Sequence, residues 1–168
     1  MAMEVGAAGT MHWSKTINGT CNTQSTDDAI AITTDNLGNV YAVGFVKKSG
    51  NGYDMMIAKY STNGDSLWAQ QYNYDIANET DKAIGIAIDI ENNVNVTGSI
   101  DQDAIIISND DIVTLKYSVA GILLWEKRYT GTGNRIDNAK SIQISATANI
   151  YVAGKSFNGT DVDMVIIK

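Results

Sequence analysis

Three aspartates, Asp27, Asp81 and Asp137, recur 54 and 56 residues apart, each two positions before an alanine (Ala29, Ala83 and Ala139). Carboxylates at a regular recurrence can converge into a ring, and a ring of oxygen ligands attracts a hard cation such as calcium. The competing role is structural: an aspartate at the start of an element accepts hydrogen bonds from nearby turn amides. Three tryptophans, Trp13, Trp68 and Trp125, recur with a similar period, and aromatic faces stack on sugar rings. Their equal placement in every copy points instead to packing within or between structural units. Nucleophilic catalysis would have to draw on the single histidine, His12, with the single cysteine, Cys21, or a serine. Cys or His clusters with zinc spacing are absent, as are glycine-rich loops leading into helices. The expectation is a non-enzymatic protein without metal or cofactor.

The elements that position these residues are short. Among 168 residues there is no proline, there are 15 glycines, and Val, Ile, Thr and Tyr occur in runs bounded by Asn, Asp and Gly. That is the composition of an all-β chain with many turns. A net charge of -7 repels phosphate backbones and anionic lipid, so nucleic acid and membrane insertion are not expected. No apolar run approaches a membrane span. Asn-x-Thr triplets at Asn18, Asn78, Asn95 and Asn158 carry little weight in a chain so rich in both residues.

Self-similarity is the strongest signal. TDDAIAITTDNLGNVYAVG from Thr26, TDKAIGIAIDIENNVNVTG from Thr80 and IDNAKSIQISATANIYVAG from Ile136 align, with the alanine 15 residues before a glycine each time (Gly44, Gly98, Gly154). DMMIAKYSTNGDSLWAQQY from Asp54 aligns with DIVTLKYSVAGILLWEKRY from Asp111, and Lys59 and Lys116 each precede a tryptophan by nine residues. The longer SIDQDAIIISND, against FVKKSGNGY, places an insertion in a loop. Each unit reads as four strands a to d, near residues 29–33, 40–44, 55–60 and 67–72, joined by tight turns at DNLGN and STNG. Runs such as IGIAI and MVII are apolar at successive positions, which implies burial on both faces. Four-stranded units too small to bury their own faces are expected to stack as β-propeller blades.

The run A-x-x-I-x-x-D-x-x-G-N-V-Y-x-x-G from Ala29 to Gly44, followed by D-x-x-x-x-K-Y-x-x-x-G-x-x-x-W, resembles the bacterial SBBP β-propeller repeat. The resemblance covers nearly everything after residue 10; Glu91 to Asn93 and Ala146 to Asn149 depart from it at the turn. It implies a propeller of large, often secreted or surface bacterial proteins. STNGDSLW also resembles the Asp-box turn of sialidase-type propellers, but Asn63 and Ala120 occupy its acidic position.

Strand bookkeeping gives the expected organisation. Residues 1–10 read as a disordered leader, 11–18 as a d strand, 26–74 and 80–130 as complete blades, and 136–168 as a blade lacking d. The order d-abcd-abcd-abc is expected to close as a six-bladed ring in a homodimer, the spare strand of each chain completing its partner's last blade. Trp13 would then lie against a blade carrying Ile150, Val152, Val165 and Ile167. Asp27, Asp81 and Asp137 would ring a channel mouth, where a glycan or protein ligand would be met by the loops.

Overall fold

A computed structural model describes residues 3–5, 11–19, 26–47, 52–74, 80–101, 109–133 and 135–168. Cys21, Asn78 and most of the inserted loop lie outside these residues. The described chain is all-β. A two-stranded pair, β1 (Met3–Val5) and β2 (Met11–Ser14), is followed by three antiparallel meanders. The first holds β3 (Asp28–Thr34), β4 (Val40–Lys47), β5 (Tyr53–Tyr60) and β6 (Ser66–Tyr72). The second holds β7 (Lys82–Ile88), β8 (Val94–Asp101), β9 (Asp110–Tyr117) and β10 (Leu123–Tyr129). The third holds only β11 (Asn138–Ile144), β12 (Ile150–Phe157) and β13 (Val162–Ile167). These are blade-like sheets of four, four and three strands, in the a-b-c-d order read from the repeats. β1 falls inside the stretch expected to be a disordered leader: Met3 pairs with Ser14 and Glu4 with Trp13.

The repeat is visible in the irregularities as much as in the ladders. Each a–b pair breaks register at one place, between Ala29 and Ala31, Ala83 and Gly85, and Ala139 and Ser141. A bulge at a fixed position raises the local twist and bends the strand the same way in every copy. The a–b turns also agree despite their different letters. Asp35 accepts the backbone N–H groups of Leu37 and Asn39, both at 2.9 Å, and Asp89 accepts those of Glu91 (3.0 Å) and Asn93 (2.8 Å). In the third copy the Ser145 hydroxyl accepts from the Asn149 N–H at 3.1 Å. The left-handed position passes from Gly38 (φ 79) to Asn92 (φ 62) to Ala148 (φ 59). One turn geometry thus survives the replacement of its glycine.

The sheets stack face to face. Tyr41, Val43, Met55 and Ile57 of the first pack on Val94, Val96, Val113 and Leu115 of the second in one buried cluster. Ile112 of the second packs on Ala139, Ile142 and Val152 of the third. Backbone bonds tie the sheets at one end: the Asp81 N–H donates to the Tyr53 carbonyl and the Asp137 N–H to the Asp110 carbonyl, both at 2.7 Å. The two sheet-to-sheet seams are therefore copies of each other.

Candidate functional site

The three candidate ligand aspartates are placed equivalently, and backbone amides occupy them. The Asp27 carboxylate accepts the N–H of Gly19 on one oxygen and that of Lys47 on the other, both at 2.8 Å. Asp137 accepts from Gly131 and, at 3.1 Å, from Phe157, while Asp81 accepts from Tyr74 at 2.7 Å. Each carboxylate clips the segment entering its sheet, and in the first and third copies it also clips the end of strand b. Asp81 and Asp137 are 1% exposed. Among the described residues, no three His, Cys, Asp or Glu side chains gather as a cation would require.

Carboxylates of the other acidic clusters are likewise taken up by hydrogen bonds within the chain. In SNDD, Asp110 accepts from the Asn138 amide at 2.8 Å and Asp111 from the Thr130 hydroxyl at 2.6 Å. Asp111 is fully buried, and burial, with Asp137 and Asp110 nearby, outweighs that hydrogen bond to raise its carboxyl above the ordinary value of 3.8. In DVD, Asp161 and Asp163 both receive the Asn158 side-chain amide, at 2.7 and 2.6 Å. His12 is exposed, and its suggested partner Cys21 lies outside the described residues.

The tryptophans seal seams. The Trp68 indole N–H donates to the Val119 carbonyl of the next sheet at 3.1 Å, and its ring lies over the Gly121 turn. Trp13 does the same one unit earlier, donating to the Thr62 carbonyl at 3.1 Å, lying over Gly64, and meeting the Tyr60 ring at 6.0 Å between centroids. Among the described residues β2 pairs with β1, but its tryptophan makes the contacts that the d strand of the first sheet makes with the second. Trp125 is half-buried in β10, opposite Lys116. One ring face of Trp13 and of Trp68 is taken up by the turn it covers.

Ile150, Val152, Val165 and Ile167 face the second sheet, packed around Ile112 and Ala87. The uncovered face of the third sheet is the opposite one, where Met164 is 81% and Ile166 68% exposed. The other side of the first sheet is covered only in part, by Trp13 and Ile17 packed on Ala58 and Tyr60. Ile32 is 56% exposed there, whereas Ile142, its counterpart in the third sheet, is 4% exposed against the second. Ala29 is exposed while Ala83 is fully buried and Ala139 nearly so. Two open apolar faces are what three stacked blades imply; which side chains form them is what sequence reasoning missed, because these strands are apolar at successive positions.

No family model matches the chain, and no curated protein matches it. Among solved structures it is similar to the crystal structure of a protein of unknown function from Bacteroides caccae, with a TM-score of 0.48 and 11% sequence identity. The match covers 96% of this chain and 51% of that one, so the chain spans about half the length of that solved chain.

Proposed function

We propose that this chain is a non-enzymatic β-propeller module whose work is assembly: two copies, three blades each, close a six-bladed ring that serves as a scaffold and presents its loops to a ligand. The reading rests on one observation. Positions buried at the two internal seams, such as Ile142 at 4%, are exposed at the chain's outer faces, such as Ile32 at 56%. Apolar faces of this kind attract a complementary surface, and here each outer face is complementary in kind to the other. The occupation of Asp27, Asp81 and Asp137 by backbone amides supports a scaffold over a catalytic or calcium-bound site.

The test is mass in solution by size exclusion with light scattering. Twice the chain mass is expected. A stable monomer would overturn the two-chain ring and favour the reading in which these blades form part of a longer propeller.

A further inference from the structure

Each internal seam is built as a knob in a hole. Met55 on β5 reaches Gly98 on β8 of the next sheet, its methyl 2.8 Å from where a Cβ on that glycine would sit. Ile112 on β9 reaches Gly154 on β12 in the same way, at 3.1 Å. Both knobs are buried, at 0% and 1% exposure. At all three repeat glycines a Cβ would run first into the strand-a carbonyl beside it, that of Asp28, Lys82 or Asn138, which explains why the repeat keeps glycine there; the knob fills the space the missing side chain leaves. The third knob in register is Met164 on β13, and the third hole is Gly44 on β4. Met164 is 81% exposed. Around Gly44 lies a cavity of about 470 Å³, lined also by Ile17, Ala29, Ala42, Val46 and Met56.

We infer that the cavity beside Gly44 receives Met164 of a second copy of this chain, and that β2 of the receiving copy pairs with the free edge of the donor's β13. This rests on the two-chain ring proposed above and specifies its seam. The occupant is a second copy because knob and hole are the third members of series whose first two members fit each other within this chain. The strand register follows from the complete sheets. Lys59 lies opposite Trp68, Ala58 opposite Ala69 and Met55 opposite Tyr72, and Lys116 opposite Trp125 and Ile112 opposite Tyr129. The same register sets Lys168 of one copy opposite Trp13 of the other, Ile167 opposite Ser14, and Met164 opposite Ile17. Ile17 already lines the cavity. The two constraints, side chain into hole and strand against strand, thus converge on one arrangement. β1 pairs with β2 along one edge, and the arrangement requires β13 along the other.

Two variants test the seam. Met164→Asp alters a side chain exposed in the single chain, so its fold, read by circular dichroism, should be unchanged while the solution mass halves. In a Cys21→Ser background, Ser14→Cys with Ile167→Cys should give an intermolecular disulfide on mild oxidation, a doubled band on a non-reducing gel. Ser14→Cys with Val162→Cys, displaced along β13, should not. A wild-type dimer that survives Met164→Asp, or that cross-links through position 162 and not 167, would overturn this seam while leaving assembly intact. A monomeric wild type, or a disulfide formed within one chain, would overturn both.

Discussion

The indole of Trp68 and the carbonyl of Val119, 51 residues apart, are joined by a hydrogen bond of 3.1 Å that crosses from one sheet to the next. The same bond at the same length joins Trp13 to Thr62. An indole spans the gap because it carries a large apolar body and one directional donor, so it buries area and fixes the turn it covers.

Trp68→Ala should destabilise the fold by about 2–4 kcal/mol, from lost burial and the orphaned Val119 carbonyl. Trp68→Phe should lose only about 1 kcal/mol, the share of the hydrogen bond. Urea unfolding midpoints check both, and equal effects from the two variants would show that the indole N–H contributes nothing.

Two turns of one geometry should respond oppositely to exchange of glycine and alanine. Gly121 has φ 81 and lies under Trp68, where a Cβ would meet the ring at 2.9 Å. Gly121→Ala should destabilise by at least about 1–2 kcal/mol, from left-handed strain alone. Ala148 already sits at φ 59, so Ala148→Gly should raise the melting temperature, its relief of about 1 kcal/mol exceeding the added chain entropy.

The clip aspartates should matter to stability and not to calcium. Asp81→Asn, which leaves the Tyr74 N–H a weaker acceptor, should cost about 1–3 kcal/mol. Calcium should shift the melting temperature of neither wild type nor variant, and a calcium-dependent rise lost in the variant would restore the cation reading.

Stability should depend on pH with two opposite contributions. Burial pushes the Asp35 carboxyl up, but the Asn39 amide and N–H, the Tyr41 hydroxyl and the Leu37 N–H together hold it below 3.8. Asp89 is held low against the same burial, by Lys116 at 2.8 Å and by Asn93. A carboxyl lowered in the folded state contributes stability above its unfolded value, lost as pH falls through the folded one. Asp35→Asn and Asp89→Asn should therefore be costly at neutral pH, with the cost shrinking below pH 3.8. Asp111 is raised, so its stabilisation is complete below 3.8 and lost as pH rises through its folded value. Asp111→Asn should gain on wild type over that rise. Denaturant midpoints across pH check the signs, and parallel curves for all three variants would refute them.

Much of the fold was legible because repetition substitutes for an alignment. The alanine-to-glycine spacing located strands a and b in every copy, and the lysine-to-tryptophan spacing located c and d. The turn at Ala148 was legible only through its copies, since ATAN carries no glycine to announce a left-handed residue. The clip aspartates were found by recurrence, but their partners were not. Gly19 and Lys47 lie eight and 20 residues from Asp27, and nothing in the letters states which amides a carboxylate will meet.

By itself the sequence determined the all-β class, the three units and their strand order, because these depend on short-range period and turn chemistry. Tertiary structure alone decided which side of each sheet is covered. β12 and β13 carry apolar residues on both faces, so periodicity could not separate Val165, turned to the second sheet, from Met164, left in solvent. Only the stacking direction of the sheets makes one face a core and the other an open surface.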